Sequence, residues 1–337
     1  MKLIVQIPCL NEAKTLPVTL EGIPKKIPGI DEVEILVIDD GSTDNTSEVA
    51  RLKGVNHIIR NSVTRGLAKT FAIGIDTCLL LGADIIVNTD ADNQYNGEDI
   101  PKLIKPILEK EADIVVGNRQ TEKIPHFSYM KKKLQKLGSF AVRQLSGTKI
   151  PDTVSGFRAF SRNTAMQINI LSNYTYTIES IIQAGSKGFR IASVPIRTNE
   201  KLRESRLIKS IPDFIKKSVT TMIRMYTMYQ PLKVFFGIGA SISCIGLIIS
   251  CRFLWYYFSG MGRGHMQSLI LSAILLIIGF QIILIGLVAD IISFNRKLIE
   301  EILLKIKKSE FASEDFKRSI KEDNMSGSNN IGGAFEG

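Results

Sequence analysis

The chain is 337 residues long, enough for about two domains, and carries a net charge of +10 from 43 Lys and Arg against 33 Asp and Glu. Its 45% hydrophobic and 23% charged content excludes a disordered low-complexity chain, and its 26 glycines, lacking a triplet period, exclude collagen. Cys9, Cys78, Cys244 and Cys251 form no CxxC pair, and His57, His126 and His265 form no HExxH, so a disulfide scaffold, a Cys-rich zinc site and a zinc hydrolase are all disfavoured.

Taken in chain order, Leu3–Pro8 is too short an apolar run for a signal peptide and reads as a first strand, leaving the N-terminal part in the cytosol, where unpaired cysteines are at home. Further strands are expected at Glu34–Ile38, Asn56–Arg60, Asp84–Asn88 and Asp113–Gly117, with helices at about 11–24, 44–53, 66–82 and 98–110. This alternation implies an α/β domain with a mostly parallel sheet covered by helices on both faces. Sites in such sheets lie at the carboxyl ends of strands. Those ends here read Pro8-Cys9-Leu10-Asn11-Glu12, Asp39-Asp40-Gly41-Ser42-Thr43-Asp44, Thr89-Asp90-Ala91-Asp92-Asn93-Gln94 and Asn118-Arg119. One Asp-Gly loop would be an ordinary turn; three carboxylate-rich loops at matching strand ends point to a site.

Segment 125–150 is basic and helical in pattern. Segment 205–230 sets Ile211, Phe214, Ile215, Val219, Met222 and Ile223 against Lys209, Lys216, Lys217 and Arg224, which suits helices lying on a membrane surface. Two uncharged runs follow, the 18 residues Val234–Cys251 and the 22 residues Ser268–Ala289. Each is long enough to cross a bilayer, which takes about 20 apolar residues. Both outer flanks are basic, with eight Lys and Arg against two Asp and Glu over 201–233 and five more basic residues over 294–308. The positive-inside rule then puts both termini in the cytoplasm, at a plasma membrane or its equivalent, with Trp255, Tyr256 and Tyr257 at the far interface. Anionic lipid accounts for the basic charge without nucleic acid. Gln281 in the second run and Asp290, which ends it, could pair with a second protomer, which leaves a homo-oligomer open, but Asp290 is better read as lying at the cytoplasmic interface. The expected organisation is 1–205 catalytic, 206–232 interfacial, 233–293 two spans (about 233–257 and 268–292), and 294–337 a basic cytosolic tail, disordered over its last fifteen or so residues.

Asp90-Ala91-Asp92 with Gln94 offers hard oxygen donors of the kind that tie Mg²⁺ or Mn²⁺ to substrate phosphates. No P-loop is present, and Gly260-Met261-Gly262-Arg263-Gly264 lies between the two spans, where a dinucleotide fingerprint has no strand to follow.

Together, Ile7-Pro8-Cys9-Leu10-Asn11-Glu12, Val37-Ile38-Asp39-Asp40-Gly41-Ser42-Thr43-Asp44 and Asp90-Ala91-Asp92-Asn93-Gln94 resemble the GT-A fold, family 2 glycosyltransferases. Asp152-Thr153-Val154-Ser155-Gly156-Phe157-Arg158-Ala159-Phe160 and the segment from Arg197 to Leu207, with Glu204-Ser205-Arg206-Leu207, resemble segments of its polyprenyl-phosphate hexose synthases, such as the dolichol-phosphate mannose and undecaprenyl-phosphate types. The resemblance spans about 1–230. It implies a Rossmann-like GT-A domain, joined here to a two-helix transmembrane hairpin, and inverting transfer of a hexosyl group from a nucleotide-sugar to a membrane polyprenyl phosphate. It implies roles by position as well: Pro8, Asn11, Glu12, Asp39, Asp40, Asp90 and Ala91 for the nucleotide-sugar; Asp90, Asp92 and Gln94 for Mg²⁺ or Mn²⁺ and the diphosphate; Arg119, Lys131, Ser155, Arg203 and Arg206 for the acceptor phosphate. Asp92 and Asp152 are the implied catalytic pair, with Asp152 either a base or a group that orients a basic side chain. The family often has Arg at the position of Lys131, where Lys132 and Lys133 are alternatives, and Lys at that of Arg206.

Three rival readings are a processive synthase, an anchored transferase with a soluble or glycan acceptor, and a non-catalytic membrane scaffold. The first lacks its Gln-x-x-Arg-Trp segment, since Trp255 is the sole tryptophan and follows Cys251-Arg252-Phe253-Leu254. The intact Asp90/Asp92 pair argues against the scaffold. GDP-mannose, UDP-glucose and UDP-N-acetylhexosamines all remain open as donors.

Overall fold

The structure, a computed structural model, describes residues 1–120, 129–171, 175–200, 211–260 and 265–331, the side chains of 129–137, 211–215, 218 and 312–331 excepted. The chain divides into two units, Met1–Met222 with Leu303–Gly337, and Ile223–Ile302.

In the first unit, β1 (Lys2–Cys9), β2 (Glu32–Asp39), β3 (His57–Arg60), β4 (Ile85–Asn88), β5 (Ile114–Asn118), β6 (Arg158–Ser161) and β7 (Ile191–Pro195) form one seven-stranded sheet in the order β3-β2-β1-β4-β6-β5-β7. The five strands expected from sequence are there, each within about two residues of its expected ends. The central β1 is buried from Leu3 onward because it is covered on both faces. Pro8 is tolerated in it for a geometric reason. The carbonyl of Gln6 accepts the Thr89 N–H on the β4 side, and Pro8 points the same way, but β4 ends at Asn88 opposite Gln6. No ladder partner is left there for the N–H that proline lacks.

Helices α1 (Leu16–Glu21), α2 (Thr46–Leu52), α3 (Leu67–Leu80) and α4 (Ile100–Leu108) connect the first five strands, followed by α5 (Tyr129–Ser146), α6 (Arg162–Gln167) and α7 (Tyr176–Ser186). The first helix is shorter than its expected 11–24, since Asn11 adopts φ +56, left-handed backbone that begins no helix.

Two strands had no counterpart in the sequence reading, and one of them shapes the site. β6 runs antiparallel between β4 and β5, with Arg158 opposite both Asn88 and Val116. An antiparallel strand has its N-terminal end beside the C-terminal ends of its parallel neighbours. The segment leading into β6, 152–157, is thereby delivered to the same sheet edge as the loops that leave β4 and β5.

The second unit holds the end of α8 (Ile211–Tyr229), all of α9 (Pro231–Phe258) and the first part of α10 (Met266–Ile331). Both long helices have stretches long and apolar enough to cross a membrane, and only 11% and 17% of those stretches is buried within the protein. Trp255, Phe258, Ile248 and Ile291 are all mostly exposed, which a buried soluble hairpin would not leave so. The helices meet at small residues. A Cβ on Gly239 would lie 2.6 Å from the Gly279 carbonyl oxygen, and Ser272 Oγ donates to the Gly246 carbonyl at 2.9 Å. Close backbone approach of this kind is how helices pack where apolar burial gives no preference.

Beyond the second unit, α10 continues as helix to Ile331, through much of the tail segment read as disordered, while 332–337 lie outside the described residues. Lys307 Nζ pairs with Asp76 Oδ1 of α3 at 2.8 Å, and Phe311 is buried.

Candidate active site

The loops after β1 and β2 interlock. Asn11 N–H donates to Ser42 Oγ at 2.9 Å, and Asn11 Oδ1 accepts from the Thr43 N–H at 2.8 Å. Glu12 N–H donates to Thr46 Oγ1, and its carboxylate accepts from Thr15 Oγ1 at 2.7 Å. The two carboxylates that follow β2 are buried and engaged by the protein itself. Asp39 accepts from the Ser42 N–H and from Ser47 Oγ, with Arg60 Nε 3.6 Å away. Asp40 accepts from Asn61 Nδ2 and from the N–H groups of Arg65 and Gly66, all at 2.8 Å. Gly66, the residue before α3, stands at φ +91, and Asp40 fixes loop 61–66 beside the β2 end.

The loop after β4 carries the Asp-x-Asp pair. Ala91 is buried, and its carbonyl accepts from Thr19 Oγ1 at 3.1 Å. Asp92 Oδ1 accepts from the Gln94 N–H at 3.1 Å, a local turn that fixes one carboxylate oxygen. Tyr95 dips under the loop, stacks on Phe157 with ring centroids 5.3 Å apart, and accepts from the Gly156 N–H at 2.8 Å. Asn88 Nδ2 bonds the Gly156 carbonyl and Tyr176 Oη from below. These contacts press the backbone of 156 against Asp90. A Cβ at Gly156 would lie 3.0 Å from both Asp90 carboxylate oxygens and 2.9 Å from Tyr176 Oη. Gly156→Ala is therefore expected to displace Asp90 and cut turnover about tenfold to a hundredfold, and to cost about 1–3 kcal/mol in stability through the buried Tyr176, as a thermal melt and steady-state rates measured well below the melting temperature would show.

Arg119 and Asp152 form a bidentate pair, Nε to Oδ2 at 2.8 Å and Nη2 to Oδ1 at 2.9 Å, with the Arg119 N–H adding 3.3 Å to Oδ2. Only 11% and 3% of the two side chains is exposed. Burial raises the Asp152 carboxyl pKa, but the charge and hydrogen bonds of Arg119, with Arg158 behind it, hold it below the ordinary range. Burial likewise disfavours the Arg119 cation, and Asp152 more than restores it. The carboxylate is thus committed to a guanidinium, and the pair leaves Nη1 of Arg119 uninvolved.

Three side chains that the sequence reading did not single out hold this edge together. Tyr95 and Asn88 were legible only as neighbours of the Asp-x-Asp pair. Arg158 is fully buried and donates to the carbonyls of Thr153, Ser155 and Thr177 and to Ser180 Oγ at 2.6–2.8 Å. Ser155 is itself fully buried. Lys131 falls on α5 where side chains are not described, and Arg203 and Arg206 lie outside the described residues.

Among the described residues no three His, Cys, Asp or Glu side chains are grouped to hold a metal. Asp90 and Asp92 supply at most two carboxylates. That suits Mg²⁺ or Mn²⁺, which take one or two protein carboxylates and complete their shell with water and substrate phosphate.

The sequence profile of Glycosyl transferase family 2 matches residues 4–168. The chain is 28% identical over 218 residues to an undecaprenyl-phosphate mannosyltransferase of Micrococcus luteus, covering 61% of this chain and 88% of that one. It is 30% identical over 204 residues to a dolichyl-phosphate hexose transferase of Haloferax volcanii, covering 58% and 82%. Its fold matches a solved glucosyl-3-phosphoglycerate synthase of Mycobacterium tuberculosis bound to Mn²⁺ and UDP, with a TM-score of 0.52 and 20% identity over 68% of this chain and 79% of that one. The Asp-x-Asp loop, the interlocked β1 and β2 loops and the mixed GT-A sheet thus sit in a chain that belongs to the family 2 glycosyltransferases.

Proposed function

We propose that this glycosyltransferase moves a hexosyl group, with inversion, from a nucleotide-sugar to the phosphate of a membrane polyprenyl phosphate. The observation that carries the reading is the meeting, on one sheet edge, of the Asp90/Asp92 loop with the Arg119–Asp152 pair, in a chain that also bears two exposed helices long and apolar enough to cross a membrane. The names of the Micrococcus and Haloferax relatives support the acceptor.

A phosphate monoester has its second pKa near about 6 and is mostly dianionic at pH 7. It attacks without losing a proton, so the enzyme's work is to bring two anions together and steady the departing diphosphate. Arg119, held in place by Asp152, offers positive charge on the acceptor side. Asp90 and Asp92 would hold a divalent cation on the donor side, which when bound neutralises charge on the leaving nucleoside diphosphate. The interlocked Asn11–Thr43 and Asp40–Gly66 loops shape the nucleoside end. The basic flanks 201–233 and 294–308 support a cytoplasmic placement of the catalytic unit by the positive-inside rule, which would set it beside a lipid phosphate.

The test is transfer by purified full-length protein with Mn²⁺, a polyprenyl phosphate and a panel of radiolabelled nucleotide-sugars, counting label that enters organic solvent. Label from one donor is expected, falling about a thousandfold in Asp92→Asn. Label appearing only in water-soluble product would replace the acceptor, and equal rates in Asp92→Asn would remove the metal from the reading.

A further inference from the structure

We propose that Asn199 is a positioning residue for Asp92, clamping the metal-facing turn from outside; this rests on the metal reading above. The chain leaving β7 runs back across the Asp-x-Asp loop as a short strap. Thr198 bridges Tyr95 antiparallel, and the Asn96 N–H reaches the Arg197 carbonyl. Asn199 makes the most specific contacts. Its N–H donates to the Gln94 carbonyl at 3.0 Å. Its Nδ2 lies 3.1 Å from the Asn93 carbonyl, 3.2 Å from Asn93 Oδ1 and 3.4 Å from the Tyr95 carbonyl. Through its backbone N–H and its side-chain amide, Asn199 thus gathers acceptors of residues 93, 94 and 95, in a turn whose middle residue, Asn93, stands at φ +57.

Asparagine adopts left-handed backbone more readily than most residues because its short amide hydrogen-bonds locally, and here the Asn93 amide oxygen is held by Asn199 Nδ2. From inside, Asp92 Oδ1 braces the turn by accepting from the Gln94 N–H. From outside, the Asn199 backbone N–H braces the Gln94 carbonyl, and its side-chain Nδ2 braces Asn93, the residue between Asp92 and Gln94. The direction of the Asp92 carboxylate is therefore set jointly, and Asn199 acts on the metal through Asp92 without touching it. The rest of the strap is held elsewhere, by Arg197 on Asp99 and Glu98, which supplies a control.

The experiment follows free Mn²⁺ by electron paramagnetic resonance in titrations of the full-length protein with UDP and, separately, GDP present, alongside melting temperature and the Mn²⁺ dependence of turnover. Asn199→Leu, close in shape but without the donor, is expected to bind Mn²⁺ about tenfold more weakly, to melt near wild type, and to recover most of its kcat at high Mn²⁺. Asn199→Ser, too short to reach the turn, should match it and serves if the leucine variant folds poorly. Arg197→Ala should leave Mn²⁺ affinity near wild type. Unchanged affinity in both Asn199 variants, or an equal loss in Arg197→Ala, would overturn the assignment while leaving the metal reading intact. No Mn²⁺ binding by the wild type with either nucleotide would overturn both.

Discussion

Asp152→Asn is expected to lower kcat about 10²-fold to 10³-fold, the usual effect of losing one positioned charge at a reacting anion. In the native protein both Asp152 oxygens meet Arg119 at 2.8 and 2.9 Å, almost out of solvent. Asparagine keeps one acceptor but turns an NH₂ group toward the guanidinium, so the fork no longer has a matching face. Asp152→Ala takes from the buried guanidinium its bidentate partner and main counter-charge, at a cost of about 3–5 kcal/mol in stability. The pH profile separates positioning from base catalysis. With its carboxyl held below the ordinary range, Asp152 is ionised throughout the neutral region and cannot produce an acid limb there. Any fall in kcat/KM near pH 6 belongs to the acceptor phosphate, and Asp152→Asn should keep the same midpoint at a lower plateau. Disappearance of the limb in the variant would make Asp152 the base. Stability runs in the matching direction. A carboxyl with a depressed folded pKa contributes fully above its unfolded value of about 3.9 and loses that contribution as pH falls through the folded pKa. Melting temperature should therefore fall more steeply below pH 4 in wild type than in the asparagine variant.

How much of this was legible beforehand follows from the signals each element carries. β1, β2, β4 and β5 are runs of Leu, Ile and Val ending in polar clusters, and in a parallel sheet buried on both faces that pattern is unambiguous. The strand ends were visible for the same reason, and with them the Asp90/Asp92 pair and Arg119. β6 was not. It is four residues, Arg-Ala-Phe-Ser, too short for a period and opening on a charge. Its motif, Asp152 to Phe160, stood out by resemblance, yet the antiparallel reversal that carries Asp152 to Arg119 is a property of sheet order, which local sequence does not encode. Asp39 and Asp40 show a different gap. Sequence marks a carboxylate at a site's edge but not whether it faces ligand or backbone, and here both are engaged by loops 42–47 and 61–66. The two long apolar helices were plain from charge-free length alone, whereas their close approach at Gly239 and Gly279 depends on which helix faces meet.

Arg158→Met is expected to destabilise the protein by about 3–5 kcal/mol, because it leaves several buried acceptors without their donor, and to lower the melting temperature by about 10 °C. Methionine fills a similar volume, so the loss is polar in origin. Arg158 donates to three carbonyls and one hydroxyl on two separate pieces of chain, the 153–155 loop and the start of α7. Each acceptor left buried and unpaired costs about 1–3 kcal/mol, partly offset because the buried cation is itself costly. Burial pulls the Arg158 pKa down to about 10, which still leaves it charged at pH 7. Lysine is not a conservative replacement. It concentrates its donors on a single atom, whereas these acceptors are spread along the rim of a planar fork, so Arg158→Lys should fall much nearer to methionine than to wild type. The functional consequence runs through the loop. Asp152 hangs from the segment Arg158 ties down, so both variants should also lose turnover when assayed well below their melting temperatures. Wild-type melting in Arg158→Met would show that packing alone shapes this edge of the sheet. Wild-type turnover in a destabilised variant would show that Arg119 and Asp152 keep their geometry without the tie.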